Sequence, residues 1–255
     1  MPSVVFFLKS LPPKITWPAG MRAIVLDPPE KCGGADPLCS TAYSKMYSSL
    51  KGTDGRVLPN LLKKYNVEGH DAIFVGFSAA HGFLNPYLNN PADRAATRTV
   101  ILVDATFGGG KTGYVAAAKD AAAGKLNLVS VTSDKHTTDP LNNGDFAFRE
   151  YVLEPAGLLS MPQTQLRPPM PPPSEGVFKQ GNLWYYRYAD AEAHHWELGK
   201  LVKPVVEAHV VSPQGTSAGS PDTTPKSSIL PIVAAAAALA AGIAAWLARR
   251  RRSGQ

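Results

Sequence analysis

Apolar residues along the chain gather in short, β-branched runs bounded by glycine, proline or charge. "SVVFFLK" (3–9), "RAIVLD" (22–27), "DAIFVGF" (71–77) and "TVILVDA" (99–105) read as buried strands, and "LNLVSVT" (126–132) and "LWYYRYA" (183–189) follow. Between them lie stretches with helical character. "TAYSKMYSSLK" and "LPNLLKKYN" precede the third strand, and "GYVAAAKDAAAGK" follows the fourth with Gly124 as its stop. "NGDFAFREYVLEPAG" follows the fifth. Near-continuous apolar strands alternating with helices predict an α/β fold, a mostly parallel sheet with helices on both faces. The proline-dense stretch "MPQTQLRPPMPPPSEG" (161–176) interrupts that order as an insertion. Its composition favours extended polyproline geometry, as a surface connection or a lid over a site.

The end of the chain follows a different pattern. "ILPIVAAAAALAAGIAAWLA" (229–248) carries no charge, and its length matches the ~20 residues a helix needs to cross a bilayer. Trp246 closes the run where an aromatic ring suits the headgroup region, and Arg249 to Arg252 follow at once. Upstream, "SPQGTSAGSPDTTPKSS" has the composition of a flexible linker. The expected organisation is a folded domain (1–211), a linker (212–228), a single transmembrane helix (229–248) and a basic tail (249–255). This makes the protein a single-pass membrane protein. Its orientation stays open: the arginines point to the cytoplasm, which places the domain outside, whereas "MPSVVFFLKS" has neither the basic start nor the apolar length of a signal peptide.

Charge adds little beyond the tail. The formal net charge of +6 comes from 26 basic and 20 acidic residues, and removing the four terminal arginines leaves 22 against 20. Nothing in the body favours a phosphate backbone, so no nucleic-acid partner is expected. Cys32 and Cys39 flank a Gly-Gly and a Pro, a loop that a disulfide could close or that could hold two free thiols. Neither a metal nor an organic cofactor is expected.

Candidate chemistry centres on Gly76-Phe77-Ser78-Ala79-Ala80, where the third strand runs out into a serine among small residues. Ligands of parallel α/β sheets bind beyond the carboxyl ends of the strands. A sharp strand-to-helix turn that lifts a serine Oγ above the sheet needs small neighbours, and Gly76 and Ala80 meet that need. Asp134 comes just past the fifth strand, and His194 and His195 come just past the sixth. Serine, acid and histidine therefore fall in that chain order, each after a strand. This resembles the α/β-hydrolase fold in motif and order over roughly residues 3 to 210. Ala80 departs from the commoner glycine, and no counterpart of the family's leading antiparallel strands precedes residue 3, which implies a compact version.

The resemblance implies a serine hydrolase that cleaves an ester, or less readily an amide, of a small-molecule or lipid-like substrate. Ser78 would be the nucleophile, His195 the base and Asp134 the orienting acid, with His194 and Asp104 as alternates. The oxyanion would lie on the backbone N–H of Ala79 and one from Lys9 or Ser10. His81 reads as a packing residue, and His136 as a site-lining or loop-capping one. Two other readings compete. "ATFGGGKTG" (105–113) approximates a phosphate-cradling loop, with Gly110, Lys111 and Thr112 in place and Ala105 where the first glycine belongs. A hydrolase-like domain without chemistry, acting as a tethered binding or structural module, is the other.

Overall fold

The computed structural model describes residues 2–28, 38–106, 111–133, 144–164, 176–188 and 201–211. The chain divides into two units, Met1–Gln214 and Gly215–Gln255, and the second lies wholly outside the described residues. The expected linker, transmembrane run and arginine tail are therefore outside them too. Among the described residues no helix is long and apolar enough to cross a membrane.

The first unit is α/β. Its strands are β1 (Ser3–Leu8), β2 (Met21–Leu26), β3 (Asp71–Phe77), β4 (Thr97–Val103), β5 (Asn127–Ser133), β6 (Gln163–Thr164), β7 (Gly176–Gln180) and β8 (Leu183–Tyr188). They form one sheet in the order β2-β1-β3-β4-β5-β8-β7-β6. Pairing is parallel from β2 across to β8, and antiparallel between β8 and β7 and between β7 and β6. The six strands read from apolar runs are thus the parallel core, and the hairpin beside β8 is an addition. Gln163 and Thr164 pair with Phe178 and Val177, so the start of the proline-dense stretch joins the sheet edge as a strand, contrary to the expected polyproline geometry. Edge strands tolerate neighbouring prolines because one side of the strand needs no N–H donor.

The helices are α1 (Leu38–Leu50), α2 (Leu58–Lys64), α3 (His81–Asn89), α4 (Pro91–Ala95), α5 (Thr112–Ala122), α6 (Gly144–Phe148), α7 (Glu154–Ala156) and α8 (Val202–Val206). A π-helical turn, Arg149–Leu153, joins α6 to α7, and another, Glu207–Val211, follows α8. As expected of a stop, Gly124 takes a left-handed φ of 78° just beyond α5.

Alternation along each strand sorts the core into two clusters. Val4, Phe6, Leu8, Phe74 and Leu102 point to one face, where they meet residues of α1, α2, α3 and α5. Val5, Phe7, Val75 and Val103 point to the other, where Val202, Val205, Val206 and Val210 cover them. Helices do cover both faces, but unequally. Close approach on the first face depends on glycine. A β-carbon at Gly82 would run into the Ser40 carbonyl of α1, and one at Gly113 into the Asn85 carbonyl of α3. The Asn85 Oδ1 also accepts from Gly113 N at 3.1 Å, which fixes the start of α5 against α3.

Asp93 on α4 is fully buried and holds this face to the loop before α2. Its carboxylate accepts from Val57 N at 2.7 Å and Leu58 N at 3.2 Å, and it pairs with Arg56 Nε at 3.5 Å. A carboxylate from elsewhere in the chain thus satisfies the donors that open α2. Cys39 is a free, fully buried thiol of α1, without the bridge to Cys32, which itself lies outside the described residues.

Candidate functional site

β3 occupies the middle of the sheet between β1 and β4. Its last residue, Phe77, is extended (φ −117°, ψ 135°), and Ser78 then turns to φ 49°. A short 3₁₀ turn over Ser78–Ala80 leads directly into α3. A residue with a β-carbon pays roughly 1–3 kcal/mol to stay in the left-handed region, so the turn persists only because its surroundings impose it. Those surroundings are cramped. A β-carbon at Gly76 would strike the Leu84 side chain and come within 3.0 Å of the Ala80 Cβ. The small residues on either side of Ser78 are therefore a packing requirement of a helix folded back over its own strand. Ser78 itself is 8 % exposed.

The neighbouring strands end in the same way. Lys9 follows β1 with φ 55°, and Asp104 follows β4 with φ 48°. The register pairs Leu8 with Gly76 and Phe77 with Val103, so Lys9 falls beside Phe77, and Asp104 beside Ser78. Among the described residues, four that are not glycine have left-handed backbones, and only Asn66 lies away from this edge. Asparagine and aspartate adopt that conformation readily in turns; lysine and serine, at the ends of two adjacent central strands, do not follow from turn chemistry. Asp104 is buried, with its N–H on Val131 O at 2.8 Å. Next to Lys9, the Ser10 Oγ is buried and has no hydrogen-bond partner among the described residues.

Two cations and an imidazole complete the edge. The His81 Nδ1 lies 3.2 Å from Ser78 O, and a carbonyl can only accept, so Nδ1 carries the proton and Nε2 the lone pair. Burial and then the charge of Lys111 push the His81 pKa down to about 4; the Ser78 carbonyl opposes this and Lys9 adds to it. Lys111 directly precedes α5, is 5 % exposed, and holds its Nζ 5.8 Å from the centre of the Tyr114 ring. Burial brings its pKa down to about 7. Nothing in the amino-acid pattern announces that burial. The only signal was the strand-to-helix setting of "ATFGGGKTG", which is observed: β4 precedes the loop and Thr112 opens α5.

A second depressed histidine lies on the opposite face. His209, 8 % exposed, meets the Tyr186 hydroxyl at 2.8 Å through Nε2, and burial and the charge of Lys179 bring its pKa down to about 4. Both histidines bind fewer protons in the folded chain than in the unfolded one between their ordinary pKa of 6.5 and about 4. Stability is therefore fully present above that window and falls as pH drops through it. At 1.36 kcal/mol per pKa unit, the drop from 6.5 to about 4 at both histidines is worth about 7 kcal/mol in all. Urea unfolding between about pH 7 and pH 4 should show this loss, with a shallower slope for His209→Gln.

Of the residues singled out in the sequence, Ser78, Ala79, Lys9, Ser10 and Asp104 lie together at this edge, joined by Lys111 and His81. Asp134, His136, His194, His195 and Gly110 lie outside the described residues. β5 and β8, which directly precede the Asp134 and His194–His195 segments, pair in parallel up to Ser133 and Tyr188. Both strands therefore run out at the edge that carries Ser78. Among the described residues no group of three or more His, Cys, Asp or Glu side chains could hold a metal ion. No protein-family model matches this chain, and no curated protein or solved structure matches it either.

Proposed function

We propose that the protein is a membrane-tethered serine hydrolase of α/β-hydrolase type that cleaves an ester. The observation that carries this reading is the left-handed Ser78 on a strand-to-helix turn, at the carboxyl edge of the central strand and flanked by small residues. That is the geometry in which a hydroxyl stands clear of a sheet as a nucleophile.

In this reading the Ser78 Oγ attacks the acyl carbonyl while His195 takes its proton. The tetrahedral intermediate places its oxyanion on the backbone N–H of Ala79 and on one from Lys9 or Ser10. Collapse expels the alcohol, which receives the proton from His195, and leaves an acyl-serine. Water, activated by the same imidazole, then releases the acid and restores the hydroxyl. Asp134 orients the imidazole and stabilises its cation. Asp104 is the alternate acid, supported by its place beside Ser78 at the end of the adjacent strand. His81 is a poor alternate base, since its bond to the Ser78 carbonyl turns its ring toward its own turn.

A fluorophosphonate probe tests the proposal. Stoichiometric labelling that maps to Ser78 and disappears in Ser78→Ala supports it. A folded, unlabelled protein would instead indicate a tethered module without chemistry.

A further inference from the structure

His209 lies buried in the π-helical turn Glu207–Val211, on the sheet face that α8 covers, and the proposed hydrolysis does not use it. Its Nε2 meets the Tyr186 hydroxyl at 2.8 Å, and Tyr186 is itself fully buried in β8. The Trp184 ring, two residues earlier on β8, stands edge-on to the imidazole with 5.2 Å between ring centres. The Nζ of Lys179 on β7 lies 4.4 Å from the centre of that same Trp184 ring. A cation thus already rests on the ring that the imidazole touches. β5 contributes Val129 and Val131 to this cluster, and both are apolar. On the segment of His209 itself the charged neighbours are Glu207 and Lys203, which pair with each other at 3.9 Å. Among the described residues no carboxylate pairs with His209.

The segment depends on these contacts. α8 is five residues long with Pro204 inside it, and a single π-helical turn follows. Helices this short are marginal without tertiary packing. Val202, Val205, Val206, Val210 and His209 therefore hold residues 201–211 in place through their side chains. A protonated His209 would be a buried cation near another cation, with no anion to offset it.

We propose that residues 201–211 form an acid-released latch: neutral His209 clasps the segment to the sheet through Tyr186, and its protonation frees the segment while the sheet stays folded. The latch is independent of what Ser78 does. Burial, and then the charge of Lys179, hold the pKa of His209 down to about 4, against 6.5 for an exposed imidazole. The docked segment thus binds fewer protons than the released one. Docking is fully favoured above that range and weakens as pH falls through it.

Hydrogen exchange in the full chain tests the latch, read as protection factors for the amides of 201–211 and of β3 between about pH 7 and about pH 4.5. Protection of 201–211 is expected to lie below that of β3 at every pH, and to fall roughly 50-fold over that range. In His209→Gln, which does not titrate but keeps a polar group for Tyr186, the fall should shrink to less than about 3-fold. Tyr186→Phe keeps the ring and removes the hydroxyl, so protection of 201–211 should drop about 5-fold already at neutral pH, the scale of one hydrogen bond. Exchange of 201–211 and β3 at a common rate would mean that the segment leaves only with the whole domain, and would overturn the latch. A fall that survives His209→Gln, protection indifferent to pH, or protection unchanged by Tyr186→Phe would each sink it as well. The two arms in the parent chain decide the matter even where a variant does not fold.

Discussion

Ser78→Ala is expected to abolish turnover of a short-chain p-nitrophenyl ester while leaving the fold in place. Removing the nucleophile of a serine triad costs up to ~10⁶-fold in kcat, because the acyl-serine route is lost and only binding and oxyanion stabilisation remain. The substitution should not harm the fold. Ser78 contributes a small side chain that is 8 % exposed, and alanine keeps its β-carbon in the same left-handed turn. The melting temperature should therefore stay within a few degrees of the parent's, and a loss of activity without a loss of stability separates chemistry from packing. If ester turnover persisted in Ser78→Ala, the nucleophile would lie elsewhere. Within the same assay, Asp134→Ala and Asp104→Ala decide the acid: the true partner of the histidine should cost several orders of magnitude, and the other far less.

Asp93→Ala should have the largest effect on stability away from the site. The carboxylate is fully buried and serves Val57 N, Leu58 N and Arg56 together. Deleting it strands two buried N–H groups at the opening of α2, each at a cost of about 1–3 kcal/mol. It also removes an anion from the positive end of a helix. A total of about 3–5 kcal/mol is expected, read as a lower urea midpoint with an unchanged m-value. Against the 5–15 kcal/mol typical of a domain, this is a large share. Asp93→Asn keeps one acceptor oxygen and should cost roughly half as much. A midpoint shift within about 0.5 kcal/mol of the parent's would show that the loop before α2 finds its partners without α4.

The parallel strands were legible because strands buried on both faces must be apolar at every position. "DAIFVGF" (71–77) coincides with β3, and the other five runs lie within two residues of their strands. The small residues around Ser78 could be read as an elbow because that backbone turn excludes larger side chains, and the Gly76–Ala80 approach gives the physical reason. Other elements left weaker traces. α3 carries Pro86 inside it, α8 carries Pro204, and the β7 hairpin is half polar, so none shows the unbroken pattern of a buried element. Cysteine spacing in a Gly-Pro loop left a bridge and two free thiols both open, and Cys39 is a free thiol buried in the core as a small apolar side chain of α1.

Sequence alone determined the α/β class, the places of the core strands along the chain and the serine that follows the third of them, since burial and backbone freedom write those constraints into local composition. The three-dimensional packing decided what a linear pattern cannot hold. Register across β1, β3 and β4 brings Asp104 beside Ser78 and Lys9 beside Phe77, one residue before it, with Lys9, Ser78 and Asp104 each in a left-handed turn. The contact of Gly113 with Asn85 seats the start of α5, next to the buried Lys111, against α3. A lysine reads as solvated in a linear sequence, and the burial of Lys111 to 5 % exposure comes from packing that the local pattern does not show.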